Sequence, residues 1–459
     1  MLRFLLPVSL VFSVSFASAQ QPADDAATLR KLADEVLTHS NAYANLRTLT
    51  KEIGGRLAGS PQMPKAEQWG LKALQAAGAD TAYLQECMVP HWVRGAKEEV
   101  RIISKRRDFV PPLQVLALGN SVGCGPDGIT APVLEVGSFD ELEAKKDQVK
   151  GKIVFYNYHF NPTFIKTFYA YSDAVIYRGA GASRASKYGA LAVIVRSMSH
   201  AANNFPHTGA MRYNDSFPKV PAVAIGLEDA DLLSDRIKDD KDMKVYLHTD
   251  AHFLPDTIGH NVIGEIRGSE HPEEIITVGG HLDSWDVNEG AHDDGAGCVQ
   301  SIEILRAFKA LGIRPKRTIR IVLFANEENG TRGARKYAAA AKAANEHHVF
   351  ALESDAGGFT PRGFSFVMPA EKRAKITAWK PLFLPYGLYD FEEEGAGTDV
   401  GEINEAMGTP MGELSPDSQR YFDIHHAASD VFEAVNKREL ELGAFGMAGL
   451  IYMIDKYGL

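Results

Sequence analysis

Cysteine is scarce in this chain: 459 residues hold three, Cys87, Cys124 and Cys298. An odd count with no closely spaced pair excludes a disulfide framework and a cysteine-built zinc site, leaving at most one internal bridge. Cys298 falls in the apolar-periodic run CVQSIEILRAFKAL, where a buried free thiol is expected. An excess of positive charge is also missing. With 49 Lys and Arg against 59 Asp and Glu, the formal charge is -10, which argues against nucleic acid or an anionic membrane as the main partner and favours a small or neutral substrate. Beyond the N-terminus no run is long and apolar enough to span a bilayer. Internal repeats and low-complexity tracts are absent as well.

What is present begins with MLRFLLPVSLVFSVSFASAQQ, in which Arg3 precedes an apolar run from Phe4 to Phe16 and the small residues Ala17, Ser18 and Ala19. This pattern predicts a signal peptide over residues 1–19 and a secreted or periplasmic protein; the run is shorter than the ~20 residues of a membrane anchor. A hydrophobic content of 45% with 24% charged residues fits a soluble globular protein, and the length predicts two or three domains. Asp24 to Gly78 reads as helical, with Ser60 and Pro61 as N-cap and first position of a helix. Strand-like runs follow at EEVRII and LQVLALG.

From about Asn120 the runs KGKIVFYNY, LAVIVRS and VPAVAIG surround the small-residue helix RGAGASRASKYGA, a small α/β unit with the look of an insertion. From about His260 the strands HNVIGEIRG, EEIITVGGH, RTIRIVLFAN and HVFALESD alternate with helical segments, which predicts a largely parallel sheet covered by helices. The expected division is 20–119 and 251–459 for one domain, with 120–250 inserted between them.

Chemistry gathers at the carboxyl ends of these strands, where open α/β sheets bind ligands. His281, Asp293, Glu328, Asp355 and His426 are ligand-competent side chains in HLDSWD, AHDDGAG, ANEENG, ESDAGG and DIHHAASD, suited to holding zinc through imidazole and carboxylate. Asp283, two residues after His281, is placed to accept its other ring proton. Asp293, in a glycine-rich loop before a helix, can bridge two cations. Adjacent Glu327 and Glu328 diverge, so one can bind metal while Glu327 serves as general base. Taken singly, each has a structural explanation, such as an N-cap for Asp-Asp. Five at successive element boundaries point to a metal centre.

The order HLDSWD, DDGAG, EENGTRG, SDAGG and HHAASD resembles the co-catalytic zinc aminopeptidases and carboxypeptidases, in particular the plasma glutamate carboxypeptidase (carboxypeptidase Q) group, over nearly all of the chain beyond the signal. GGRLAGSPQ resembles that family's N-terminal segment; KGKIVFY, RGAGASRASKYGALAVIVR and VPAVAI resemble its inserted protease-associated domain. The resemblance implies an α/β fold with a mixed, largely parallel sheet flanked by helices, and two zinc ions. It places His281 and Asp355 on one ion and Glu328 and His426 on the other, with Asp293 bridging, Glu327 shuttling the proton and Asp283 orienting His281. His425 competes with His426; a His four residues before Asp430 is the family pattern. A cis bond between Asp293 and Asp294, short peptides or dipeptides with free ends as substrates, and a homodimer are implied too.

His207, Arg212 and Tyr213 of the inserted segment, and Arg420 and Tyr421 near His426, are candidates for substrate contact. Two other functions compete. A receptor-like ectodomain on this fold would be expected to lose ligands that this sequence keeps, and the inserted unit argues against a zinc amidohydrolase of the glutaminyl-cyclase kind.

Overall fold

A computed structural model describes residues 21–105 and 110–459; the expected export signal lies outside them. Among the described residues, fifteen strands form two sheets. In chain order they are β1 (Thr81–Val93), β2 (Glu99–Ile103), β3 (Val115–Ala117), β4 (Ile129–Val136), β5 (Ile153–Tyr156), β6 (Ala192–Arg196), β7 (Ala222–Ile225), β8 (Lys244–His248), β9 (His252–Ile266), β10 (His271–His281), β11 (Arg317–Phe324), β12 (His347–Glu353), β13 (Pro361–Val367), β14 (Asp390–Glu394) and β15 (Met411–Pro416).

The larger sheet runs β1-β9-β11-β10-β12-β15-β13-β14. Its centre is parallel, from β11 through β10 and β12 to β15, while β1, β9 and β13 join antiparallel neighbours. Alternate residues of the central strands feed two layers. Ile319, Ile321 and Leu323 pack under the helices Gln21–His39, Ala296–Ala310 and Lys437–Tyr457, whereas Val322 and Phe324 pack with Ala334, Tyr337 and Ile403 of the helices Arg332–Ala343 and Thr398–Met407 on the other face. The sheet is thus mixed and helix-covered, as expected. β1 carries Pro90 where its register with β9 breaks; as the outermost strand it tolerates a residue without an N–H.

The smaller sheet runs β2-β8-β4-β5-β6-β7-β3. Its central strands IVFY, AVIVR and AVAI are buried throughout, as covered parallel strands are. β2 and β3 pair within it although they precede residue 120, where the sequence pattern had suggested the second unit to begin. One of its helices, Thr167–Ser186, stacks Phe168 on Tyr421 and Tyr171 on Phe422, tying the second unit to the loop before His426. A further difference lies near residue 60. The helix expected from Ser60 starts at Met63 with Pro64 in its first turn, because residues 58–62 form a tight turn that uses the Ser60 carbonyl to hold the Met63 N–H.

Candidate metal centre

His281 is the last residue of β10, Glu327 and Glu328 sit in the turn after β11, and Asp355 lies two residues beyond β12, so three adjacent parallel strands deliver their ends to one place. Asp293 comes from the distorted turn before the helix Ala296–Ala310, and its bond to Asp294 is cis. This approach requires a glycine at 280: a Cβ there would stand 2.2 Å from Asp294 Oδ2. His426 follows the short turn Tyr421–Asp423 and takes a positive φ of 61°.

All five expected ligands converge. His281 Nε2 stands 3.2 Å from Asp293 Oδ1 and 3.2 Å from Asp355 Oδ1. On the other side, His426 Nε2 stands 3.2 Å from Asp293 Oδ2 and 3.1 Å from Glu328 Oε2. Each oxygen of the Asp293 carboxylate therefore faces its own imidazole and carboxylate pair. Ligands about 2.0 Å from one tetrahedral zinc lie about 3.3 Å from each other, close to these separations. Asp293 Oδ2 and Glu328 Oε1 are buried without a hydrogen-bond partner, as donors aimed at a cation would be. The residues present fit zinc.

Both imidazoles are held in a ligand-competent tautomer. His281 Nδ1 lies 2.9 Å from the Asp283 carbonyl and His426 Nδ1 lies 3.3 Å from the Thr208 carbonyl, so each Nδ1–H donates and leaves Nε2 free. Here the structure departs from expectation: Asp283 meets His281 through its backbone, while its carboxylate is 3.9 Å from Nδ1 and instead accepts the Glu327 N–H at 3.0 Å. The divergence of Glu327 from Glu328 comes from a turn rather than from strand alternation. His425 stacks on His426 with ring centroids 3.5 Å apart, and its Nε2 is 3.6 Å from Asp293 Oδ2.

The electrostatics match a cluster of anions awaiting cations. Burial opposes charge on His281 and His426, yet the surrounding carboxylates raise both, Asp355 and Asp293 lifting His281 well above the imidazole range and Glu328 and Asp293 lifting His426 to about 10. Burial resists ionisation of Asp293, but His281 and His426 hold its carboxyl well below the usual range. Burial, reinforced by Asp293, pushes Glu328 up to about 8. Glu327 is pushed to about 7 by burial, with His281 opposing and the neighbouring acids adding to it.

Three supports were not read from sequence. The Asp430 carboxylate accepts the N–H groups of His292 and Asp293 at 2.7 and 3.1 Å. Asp294 accepts the His281 N–H at 3.0 Å and the Gly297 N–H at 2.8 Å, so its carboxylate ties the end of β10 to the first turn of the helix Ala296–Ala310. Arg56, fully buried in GGRLAGS, donates to the carbonyls of Leu282, Glu289 and Gly290. An arginine amid glycine and small apolar residues was the available signal. Among the expected substrate contacts, Arg212, Tyr213 and Tyr421 line the cleft. His207 is buried, the Tyr213 hydroxyl is engaged by Val122 and Val220, and Arg420 lies over Phe359 away from the cleft.

A family profile described as Peptidase family M28 matches residues 261–450. Human carboxypeptidase Q is 37% identical over 415 residues, 90% of this chain and 85% of that protein. The chain belongs to peptidase family M28. The resemblance to the co-catalytic zinc peptidases is thereby established, and the chain is an enzyme of that family. The crystal structure of an M28 peptidase precursor from Shewanella amazonensis, 31% identical, superposes with a TM-score of 0.88 over 95% of this chain and 97% of the other. The M28 fold is shared with a zinc aminopeptidase from Bacillus subtilis, 18% identical, at a TM-score of 0.63 over 90% of this chain and 93% of that one. Among the described residues, no helix is long and apolar enough to cross a membrane.

Proposed function

We propose that the chain is an exported di-zinc exopeptidase that hydrolyses short peptides, dipeptides among them, with free termini. The observation that carries this is the Asp293 carboxylate, whose two oxygens each face a separate imidazole and carboxylate pair in a cleft of about 1670 Å³. His281, Asp293 and Asp355 would hold one ion, and Asp293, Glu328 and His426 the other. Zinc bound there supplies Lewis acidity toward a peptide carbonyl and makes water a nucleophile at neutral pH.

The remaining steps belong to the chain's own side chains and carbonyls. Glu327 lines the cleft with its backbone pinned to Asp283, and it takes the proton from the attacking water and returns it to the departing amine. Asp283 and Thr208 fix the ring tautomers, while Asp430 and Asp294 hold the Asp293 turn. The names carboxypeptidase and aminopeptidase carried by relatives and structural neighbours agree with removal of terminal residues.

The seven-stranded unit corresponds in this proposal to the inserted protease-associated domain. The export signal at residues 1–19 and a homodimer belong to the same proposal, checked by the N-terminal sequence of the secreted protein and by its mass in solution. The main test is a panel of unblocked and N-blocked dipeptides assayed with and without a chelator, alongside metal analysis. Hydrolysis of unblocked dipeptides that chelation abolishes and zinc restores is expected. Chelator-resistant hydrolysis, or activity confined to N-blocked peptides, would overturn it.

A further inference from the structure

Glu413 lines the cleft without a task in the metal centre or in proton transfer. It sits on β15, one strand beyond the β12 that delivers Asp355, and pairs in register with Glu353. Their neighbours Leu352 and Leu414 point into the main core, so Glu353 and Glu413 stand on the other face, where the Val400 N–H of the helix Thr398–Met407 donates to Glu353 at 2.9 Å. Glu413 is partly buried, yet among the described residues no hydrogen bond or ion pair reaches its side chain. The charges that bear on it, Asp355 and Glu393, are acids. Lys166 is already taken by Glu393 and Asp390. Deeper in, Glu353 Oε1 and both carboxylate oxygens of Asp399 are buried without a partner. Carboxylates buried together are costly unless a cation offsets them, so this end of the cleft is short of positive charge. Ala396 and Gly397 complete its wall and leave it open: a Cβ on Gly397 would stand 2.2 Å from Glu353 Oε2.

We infer that Glu413 selects peptides whose N-terminal residue carries a cationic side chain, lysine or arginine. This rests on the peptidase reading above and names a side chain which that reading leaves open. Glu413 stands apart from the donors of His281, Asp293 and Asp355, which crowd together around one ion position. Its strand lies about 4.8 Å farther out than β12, whereas the α-ammonium of a substrate is tied two bonds from the carbonyl under attack and stays by the metal ligands. A lysine ammonium stands at the end of a four-carbon stem, long enough to pass Ala396 and Gly397 and form a charge-assisted hydrogen bond with Glu413. Charge also sets the direction of the peptide. The wall from the second unit carries Arg184, Lys187, Arg212 and Lys219 against Glu143 and Asp215, so the carboxylate end of a free peptide lies toward it and the ammonium end toward Asp355 and Glu413.

The test uses the zinc-loaded enzyme on Lys-Ala, norleucyl-Ala and Ala-Lys, comparing the wild type with Glu413→Gln and Glu413→Asp and recording zinc content and melting temperature for each. Norleucine keeps the stem of lysine without its ammonium. The wild type is expected to favour Lys-Ala over norleucyl-Ala in kcat/KM by about 10-fold or more, as a desolvated ion pair would give. Glu413→Gln should bring that ratio close to one through KM; Glu413→Asp, which keeps the charge on a shorter stem, should retain part of it. Free lysine should likewise inhibit the wild type more strongly than free norleucine and lose that advantage in Glu413→Gln. A wild type that cleaves the two alike, or that prefers lysine only in Ala-Lys, would overturn the inference. So would a Glu413→Gln protein whose loss is equal on every dipeptide, which would assign Glu413 to the α-ammonium or, where zinc falls as well, to the support of Asp355. Failure to cleave any dipeptide overturns the peptidase reading and this inference with it.

Discussion

Arg56 offers the sharpest test of how the metal centre is held. Its guanidinium is fully buried and spans from the Leu282 carbonyl, one residue past His281, to the carbonyls of Glu289 and Gly290, just before the Asp293 turn. Those contacts, at 2.5, 2.8 and 3.0 Å, staple both ends of the loop that separates two of the ligands. Arg56→Met keeps the stem and removes every donor. Each buried carbonyl left unpaired costs about 1–3 kcal/mol, and relief of a desolvated charge offsets part of that; the net loss is roughly 3–5 kcal/mol. Arg56→Lys keeps a charge but, with a shorter reach and no planar fork, satisfies fewer carbonyls, so it should fall between the two. Melting curves of chelated and zinc-loaded protein measure stability, and a competing chelator measures zinc affinity, which should drop about 10- to 100-fold. An Arg56→Met protein that melts with the wild type and holds zinc equally would refute the clamp.

Glu327→Ala should keep its zinc by metal analysis while kcat falls by about 10²- to 10⁴-fold; full turnover would remove the general-base role. His426→Ala should lower bound zinc, whereas His425→Ala should retain it, because only His426 is in contact with Glu328 as well as Asp293. Equal zinc loss in both variants would make His425 a ligand too. Away from the site, Glu346 is held down to about 2 from 4.5, first by its hydrogen bond to His348 and then, against burial, by Arg320. A carboxyl depressed on folding stabilises the protein above its unfolded pKa and loses that contribution as pH falls toward the folded value. Glu346→Gln should therefore flatten the fall in melting temperature between about pH 4.5 and pH 2, and an unchanged acid limb would count against the pair.

The sequence patterns exposed the central strands and the five convergent candidate ligands; His281, Glu328 and Asp355 follow short β-branched runs, where periodicity stops and a polar residue begins, while Asp293 and His426 stand out by their motifs in a glycine-rich loop and a polar turn. His281 after IITVGG and Asp355 after HVFALE are of this kind. Pattern reasoning failed where function passes through backbone or through a distant segment. The Asp283 side chain was expected to orient His281, but in the folded chain its carbonyl does so, a choice fixed by the dihedral angles of the loop and invisible to residue type. Arg56 and Arg178 lie 225 and 248 residues from the His281 and His426 they respectively support or adjoin, and even the glycine-rich surroundings of Arg56 do not say which carbonyls it meets. The second unit illustrates the same limit on a larger scale. It carries no expected metal ligand and reads as an insertion, yet its Thr208 carbonyl sets the tautomer of His426 and its Tyr171 and Phe168 stack on the loop that presents that ring. A chain stripped of this unit would keep His426 in its sequence but lose the acceptor that frees Nε2, so the pocket belongs to both sheets and neither can be reduced to a scaffold for the other.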